Sequence, residues 1–339
     1  MESLAVKYRP SSFEETVGQE STIKILSRMI ETRTFKNALL FCGSSGCGKT
    51  TVARILAKAI NNNLGSPIEI DGASNNGVDN VRNIIQEASE RSVDSEYKVY
   101  IIDEAHALSN AAWQAFLKCI EEPPRYTIFI FCTTDPQKIP ATILNRVMRF
   151  NFTRIRSDLI KNRLLYICKQ EGFTNYEESC DYISRICNGG MRDGIALLEK
   201  CAGYSTDISI DNVLACVGNF SYSMFFNLVN SIIDGNETNV IKLVSDFYDM
   251  GSDFKLLIDQ FLSFCLDVYK YSIFTSCEMT KIPASMEEDL KSATNFASPG
   301  KTYGYIVNKL LELKNYLKDD TNPKATVEVC LLSLARWEA

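Results

Sequence analysis

The stretch Gly43-Ser44-Ser45-Gly46-Cys47-Gly48-Lys49-Thr50 decides the fold of the first half of this chain, because it fits the pattern G-x-x-x-x-G-K-[ST]. An apolar run at 38–42 (ALLFC) precedes it and predicts a buried strand. The sequence TVARILAKAI at 51–60 follows it and predicts an amphipathic helix. A strand, a glycine-rich loop and a helix in this order predict a phosphate-binding loop, since backbone N–H groups and the helix N-terminus converge on phosphate oxygens.

The residue types within this loop predict ATP and Mg²⁺ as the bound groups. Lys49 is placed to reach the β- and γ-phosphates, and the hydroxyl of Thr50 is placed to ligate Mg²⁺. A glycine-rich turn without a ligand would need neither side chain. The predicted nucleotide-binding residues of this stretch are Gly43, Ser44, Ser45, Gly46, Cys47, Gly48, Lys49, Thr50 and Thr51.

Two adjacent carboxylates follow a second apolar run, Val99–Ile102. Asp103 is expected to hold the Mg²⁺ shell and Glu104 to orient and deprotonate the attacking water. Successive strand residues point to opposite faces, so these paired roles require the strand to end here. The alternative interpretation of this pair is an acidic helix cap, but the phosphate loop earlier in the chain favours the catalytic interpretation. The string Asp103-Glu104-Ala105-His106 also fits a helicase motif, but no helicase pattern continues it, and His106 is interpreted as a helix-start residue with a minor supporting role.

The pattern of apolar runs predicts an α/β fold followed by an all-α region. Strands are predicted at Leu39–Cys42, Ile68–Ile70, Val99–Ile102 and Thr127–Cys132, with helices between them. This alternation predicts a parallel sheet with helices on both faces and a ligand site at the carboxyl ends of the strands. From about residue 154 onward only helical spacing remains. A second Gly-Lys-Thr at 300–302 lacks a preceding strand and is interpreted as a chance match.

Composition excludes several other classes of protein. The chain has 339 residues, a net charge of −6 and twelve cysteines, but no C-x-x-C and one histidine. Neither a disulfide framework nor a Cys/His zinc site is therefore expected, and the cysteines are interpreted as reduced core residues of a cytoplasmic protein. No secretory leader and no run long enough to cross a bilayer is found, so no membrane partner is expected.

Beyond these local motifs, long strings of the chain resemble the AAA+ clamp-loader ATPase subunits, most closely the bacterial DNA polymerase III gamma/tau type. They cover most of the first 200 residues and are KYRPSSFEETVGQE at 7–20, GSSGCGKTTVARILAKAIN at 43–61, IEIDGASNNGVDNVRNI at 68–84, KVYIIDEAHALSNAAWQAFLKCIEEPP at 98–124, FCTTDPQKIPATILNRVMRF at 131–150 and GGMRDGIALLEK at 189–200. The C-terminal part resembles the family more loosely, in its helical character and in VEVCLLSLARW at 327–337.

The resemblance implies an AAA+ P-loop NTPase domain at 1–153, a small helical lid domain at 154–204 and a helical collar domain for oligomerisation at 205–339. The family's four-cysteine zinc module is replaced here by the short stretch 61–67, so no zinc is expected. The chain also stops after the collar-like part, without the family's tau-like tail. A reduced form of this kind favours a phage or another reduced replicon as the source, within a bacterial cell.

The resemblance also implies roles for individual residues. Thr134 matches the sensor-1 position near the γ-phosphate, and Arg192 matches sensor 2 of the lid. Arg146 matches the arginine finger that completes a neighbouring subunit's site, although here its string is Asn145-Arg146-Val147 rather than Ser-Arg-Cys. The segment that wraps the adenine is matched by Tyr8, Arg9, Pro10, Val17 and Gly18.

The function implied is that of an ATPase subunit of a sliding-clamp loader. Its partners would be other loader subunits in a pentamer, a sliding clamp and primer-template DNA. Arg82 and Lys118 are candidate DNA contacts, with ordinary surface positions as the alternative. Trp113 and Phe116 are either core residues or an exposed anchor for the clamp. Two other functions remain open, a helicase-loading or replication-restart ATPase and a non-catalytic scaffold that uses ATP for assembly.

Overall fold

The computed structural model describes residues 2–92, 94–217, 222–249, 251–318 and 320–337. Contacts divide the chain into two compact units. The first unit comprises Met1–Glu171 and Ile183–Glu199, and the second comprises Gly172–Tyr182 and Lys200–Ala339. The three-domain division at 153 and 204 stays a prediction, and the last two residues of its third domain lie outside the described residues.

A five-stranded parallel sheet forms the centre of the first unit. Its strands are β1 Ala38–Cys42, β2 Ile68–Asp71, β3 Lys98–Asp103, β4 Thr127–Thr133 and β5 Met148–Asn151. Their spatial order is β2-β3-β4-β1-β5, and every neighbouring pair is parallel. This arrangement confirms the predicted parallel sheet, to which β5 adds an edge strand that the apolar runs did not predict.

Helices of the first unit lie before, between and after the strands along the chain. They are α1 Leu4–Lys7, α2 Glu20–Glu31, α3 Lys49–Ile60, α4 Val78–Ala88, α5 Asn110–Glu121, α6 Ala141–Leu144, α7 Ser157–Glu171, α8 Glu177–Ile186 and α9 Met191–Tyr204, of which the last two continue into the second unit.

Alternating side chains of the central strands contribute to two separate hydrophobic cores. Leu39 and Phe41 of β1 belong to the core that includes α2 and α3, whereas Leu40 belongs to the core that includes α4 and α5. Because successive strand residues point to opposite faces, the sheet is covered by helices on both faces, as predicted.

The aromatic pair of α5 is part of one of these cores. Trp113 is 1% exposed and Phe116 is fully buried. Their rings lie 5.2 Å and 5.4 Å, respectively, from the ring of Phe131 on β4. The core interpretation of this pair is therefore correct, and neither side chain is an exposed anchor.

The described part of the second unit is helical, and after β5 the described residues contain no further strand. The fold is thus α/β followed by all-α, as predicted. Its remaining helices are α10 Ile210–Val217, α11 Tyr222–Ile233, α12 Glu237–Asp249, α13 Phe254–Phe274, α14 Glu287–Ala293, α15 Pro299–Tyr316 and α16 Pro323–Ala335. Residues of α11 to α16 share one hydrophobic core that includes Phe225, Phe261 and Leu310.

Two prolines that interrupt the helical spacing of apolar residues begin helices in this unit. Pro299 and Pro323 occupy the first positions of α15 and α16, where a missing N–H and a fixed φ suit helix initiation. The second Gly-Lys-Thr, at 300–302, consequently lies in the first turn of α15 rather than after a strand. No helix in the described ranges is both long and apolar enough to cross a membrane.

Candidate active site

A cavity of about 300 Å³ lies at the carboxyl ends of β1 and β3 in the first unit. Many of the residues predicted from the sequence line it together: Tyr8, Arg9, Pro10, Val17, Ser45, Gly46, Cys47, Gly48, Lys49, Thr50, Thr51, Asp103, Glu104 and Arg192. Residues that are far apart in the sequence, from Tyr8 to Arg192, thus converge on one pocket. This is expected for a ligand site at the carboxyl edge of a parallel sheet.

Glycine is required at several points of the loop between β1 and α3. Gly46 and Gly48 have φ values of 71° and 101°, which glycine adopts without steric cost. A Cβ atom on Gly43 would lie 2.5 Å from the carbonyl oxygen of Phe152. The loop therefore passes close to neighbouring backbone, and α3 begins directly after it at Lys49.

Lys49 is held within this loop. Its side chain is largely buried, and Nζ donates hydrogen bonds of 2.9 Å to the carbonyl oxygens of Gly43 and Ser44. These two carbonyls satisfy part of the ammonium group's hydrogen-bonding capacity. The positive charge is thereby fixed at the loop, where a nucleotide's phosphates would meet it.

The two predicted Mg²⁺ ligands are in direct contact. Thr50 Oγ1 donates a hydrogen bond of 2.7 Å to Asp103 Oδ2. A hydroxyl and a carboxylate side by side, next to a phosphate loop, provide oxygen ligands of the kind that Mg²⁺ prefers. These residues therefore fit a magnesium ion.

Glu104 has an unusual backbone conformation that brings its carboxylate to the same pocket. β3 ends at Asp103, and Glu104 has φ 45° and ψ 42°, a left-handed conformation that is rare outside glycine. Its N–H donates to Asp103 Oδ1 at 3.0 Å. This turn interrupts the strand alternation that would have sent the two carboxylates to opposite faces, and the expected strand end is confirmed.

Two polar groups approach the carboxylate of Glu104. Thr134 Oγ1 donates to Glu104 Oε2 at 3.3 Å, and His106 Nδ1 lies 3.3 Å from the same oxygen. His106 Nδ1 also lies 3.3 Å from Thr133 Oγ1, at the end of β4. Glu104 is therefore oriented by the strand end that carries the predicted sensor, Thr134.

The start of α9 packs against the phosphate loop. The N–H of Met191 donates to the carbonyl oxygen of Gly46 at 3.0 Å, and a Cβ atom on Gly46 would lie 3.0 Å from the Cα of Gly190. Arg192, the next residue, lines the cavity, and its sensor role stays a prediction. Gly18 is not among the lining residues, but its φ of 73° turns the chain beside Ile155, which does line the cavity.

A clasp between the N-terminal segment and α7 was not foreseen from the sequence. Tyr8 Oη and Lys7 Nζ both donate to the carboxylate of Glu171, at 2.5 Å and 2.7 Å. Arg163 Nη2 donates to the carbonyl oxygen of Tyr8 at 2.8 Å, and Arg163 also lines the cavity. Burial, followed by the hydrogen bond to Glu171, raises the pKa of Tyr8. Hydrogen bonds from Lys7 and Tyr8 hold the pKa of Glu171 below its ordinary value.

Other predicted residues lie away from the cavity. Arg146 pairs with Glu121, with an Nε–Oε1 distance of 2.6 Å, and also donates to the carbonyl oxygen of Thr142. Arg82 is exposed and pairs with Asp79 at 3.2 Å, and Lys118 is exposed on α5. The roles of Arg82, Lys118 and Arg146 in DNA binding or subunit contact stay predictions.

No disulfide joins cysteines among the residues that the structure describes, and eight of the twelve are buried. Burial raises the pKa of Cys47, inside the phosphate loop, and of Cys119, on α5. Raised thiol pKa values favour the unreactive protonated form, in keeping with their interpretation as small hydrophobic residues. Across the described ranges, no group of three or more His, Cys, Asp or Glu side chains is arranged to hold a metal ion.

Comparison with known proteins assigns the family. Three family models match: the DNA polymerase III delta subunit at residues 67–156, the Rad17 P-loop domain at 1–110, and domain III of DNA polymerase III subunits gamma and tau at 208–338. DNA polymerase III subunit gamma of Buchnera aphidicola is 32% identical over 77% of this chain and 78% of its own length. The chain belongs to the DNA polymerase III gamma/tau family.

Further gamma/tau relatives match almost all of the chain. The tau subunit of Bacillus subtilis is 32% identical over 97% of the chain, and the gamma/tau subunit of Mycoplasma genitalium is 32% identical over 91%. The chain spans 62% and 55% of the length of these two relatives. Among solved structures, the Thermotoga maritima RuvB Holliday junction branch migration motor matches with a TM-score of 0.52 and 20% identity, covering 73% of this chain and 86% of its own. This similarity confirms the AAA+ fold.

Proposed function

We propose that this gamma/tau family member is an ATPase subunit of a sliding-clamp loader. In this function, ATP binding and hydrolysis drive the opening of a clamp and its placement on primer-template DNA. The observation that carries the proposal is the convergence of Lys49, Thr50, Asp103 and Glu104 on one cavity, in a chain of this family. We place this activity in the cytoplasm of a bacterial cell.

Each residue of the cavity has a distinct role in hydrolysis. Lys49 and the loop amides would bind the phosphates, and Thr50 and Asp103 would hold the metal. When bound, Mg²⁺ would neutralise charge on the β- and γ-phosphates. Glu104 orients the attacking water and accepts its proton, while Thr134 lies beside it to contact the γ-phosphate. Arg192 transmits the state of the nucleotide to the helices that follow.

Arg146 is proposed to act on a neighbouring subunit. It does not line the chain's own cavity, and its side chain is 39% exposed beside Glu121. An exposed arginine can exchange its pairing with Glu121 for a partner's γ-phosphate, where it would stabilise the charge of the transition state. This role requires assembly with other loader subunits into a pentamer.

DNA binding by an acidic chain is consistent with this assembly. Arg82 and Lys118 are exposed and would supply a few phosphate contacts per subunit. Summed over a ring of subunits, such contacts give substantial, salt-dependent binding despite the net charge of −6.

The assignment of the catalytic base can be tested with Glu104→Gln. This change keeps the shape of the side chain but removes the proton acceptor, so we expect ATP binding to persist while turnover falls by about 10²- to 10⁴-fold. Nucleotide affinity and single-turnover hydrolysis are measured on the same preparation. The matched control is Glu122→Gln, which alters an exposed carboxylate outside the cavity. Turnover that is unchanged in Glu104→Gln would show that another group is the base.

A further inference from the structure

We propose that a basic groove beside the nucleotide cavity binds a second phosphate group. The groove has a volume of about 330 Å³ and is lined by Arg9, Arg54, Lys58, Ser66, Pro67 and Glu69, among others. The phosphate is carried either on the sugar of the bound nucleotide or on a separate inorganic anion. The inference rests on the proposed nucleotide binding and extends it to a neighbouring subsite.

The cations of the groove are incompletely paired. Arg9 is half-buried and Lys58 is exposed, and neither side chain has a hydrogen-bond or ion-pair partner among the described residues. Arg54 pairs with Glu69 through Nη2, but its Nε is buried and has no hydrogen-bond partner. A buried donor without an acceptor is unfavourable, so a ligand oxygen that reached Arg54 Nε would be stabilised there.

The net charge of the groove favours an anion. Among the side chains that line the groove, three are cationic and one is a carboxylate, so the lining is net positive in a chain whose net charge is −6. Arginine presents a planar set of donors that matches phosphate, and lysine adds a mobile point charge. An apolar ligand would leave these donors unpaired, whereas a phosphate could accept hydrogen bonds from several of them.

The groove adjoins the nucleotide cavity. Arg9, Pro10 and Arg54 line both spaces. Thr50, Arg54 and Lys58 are spaced four residues apart on α3, so they share one face and extend about 12 Å along the helix axis. Because Thr50 lies at the phosphate loop, the groove leads away from that loop along α3. A ligand with phosphates at two positions could therefore reach both spaces if its second phosphate extends past Arg9 and Arg54.

The test compares ligands that differ by one phosphate. Affinities of the full chain with Mg²⁺ are measured by calorimetry at low salt for ADP, for ADP phosphorylated at the 3′ or 2′ oxygen, and for inorganic pyrophosphate in the presence of saturating ADP. We expect a sugar-phosphorylated ADP to bind about 10-fold more tightly than ADP, or pyrophosphate to bind alongside ADP. The first outcome assigns the phosphate to the nucleotide itself, and the second assigns it to a separate anion.

Variants connect this preference to the groove. Lys58→Gln is expected to reduce the preference severalfold, and Glu69→Gln to increase it by releasing Arg54. Lys24→Gln, at an exposed lysine on α2, serves as the control and should leave the preference unchanged.

Several results would overturn the proposal. Equal affinity for ADP and both phosphorylated forms, with no pyrophosphate binding, would show that the groove is no phosphate site. A preference of unchanged size in both Lys58→Gln and Glu69→Gln would place the second phosphate elsewhere. Weakened binding of primer-template DNA in Lys58→Gln, without any change for the small ligands, would make the groove a DNA contact instead. Failure of ADP itself to bind would contradict the proposed function as well.

Discussion

The carboxylate of Glu104 depends on a single residue's backbone conformation. Its φ of 45° places a non-glycine residue in the left-handed region, where strain of about 1 kcal/mol or more is tolerated only when the surroundings fix it. Here the Asp103 carboxylate accepts the Glu104 N–H, and His106 and Thr134 approach the Glu104 side chain. The strained turn thus sets the direction of the predicted base.

The contact between His106 and Glu104 gives a prediction at this scale. The atom involved is Nδ1, whose position an asparagine side chain can reproduce, whereas glutamine extends toward the position of Nε2. We therefore expect His106→Gln to lower kcat several-fold without changing the affinity for ATP, and His106→Asn to recover most of the loss. Steady-state kinetics of both variants provide the measurement. An equal kcat for His106→Gln and His106→Asn would show that His106 does not position the base.

Sequence reasoning predicted which residues meet at the cavity better than it predicted their supporting contacts. Lys49, Thr50, Asp103 and Glu104 could be predicted because each belongs to a short motif with a fixed relation to a strand end. The pairing of Tyr8 with Glu171 could not, because it joins residues 163 positions apart. Such a contact is set by tertiary packing, and no local pattern reports it.

At the scale of elements, apolar runs decided which strands could be predicted. β1, β3 and β4 are apolar along most of their length and are buried on both faces, so they were predicted to within one residue at each end. β5 reads Met148-Arg149-Phe150-Asn151 and buries only Phe150. An edge strand of four residues with one buried side chain has too little hydrophobic signal to distinguish it from a loop.

The clasp between the N-terminal segment and α7 gives a prediction about elements. Glu171→Gln weakens the pairing with Lys7 and Tyr8, so the segment that carries Tyr8 and Arg9 should be held less firmly over the cavity. Because the pair with Lys7 is largely solvated, we expect nucleotide affinity to fall only about threefold. Gln170→Ala, at the adjacent exposed position, is the control for an affinity titration. An unchanged affinity in Glu171→Gln would show that the clasp does not support binding.

The charge states of this clasp limit its pH range. The pKa of Glu171 is lowered, so its contribution is present above the carboxyl group's ordinary pKa and is lost as pH falls through the lowered value. Hydrogen bonding to Glu171 raises the pKa of Lys7, so that contribution is present below the ordinary lysine pKa and is lost as pH rises through the raised value. The clasp is therefore complete across neutral pH.

For the whole molecule, the proposed function depends on assembly. The chain carries a phosphate loop, a predicted base and a predicted lid arginine around one cavity, while Arg146 lies outside it. Family membership was predictable from long matching strings, and the comparisons confirm it. The identity of the other subunits in the assembly could not be predicted from any motif of this chain. An interface between subunits depends on the partner's surface as well as on this one.

Mixing experiments test the role of Arg146 in the assembly. Arg146→Ala subunits should bind nucleotide normally but fail to activate a neighbour, lowering turnover of the assembled complex by about 10³-fold or more. Complexes are assembled from Arg146→Ala and wild-type subunits mixed in increasing ratio, and their ATP hydrolysis is measured. The outcome that would refute a role in trans is rapid hydrolysis by isolated wild-type monomers, equal to that of the assembly.

The most direct test of the central claim is ATP turnover by the purified chain together with its companion loader subunits. Turnover is measured with and without primer-template DNA, and with and without a sliding clamp from the same source. The proposed loader function predicts strong stimulation that requires both the DNA and the clamp. Stimulation by DNA alone, with no response to the clamp, would contradict it.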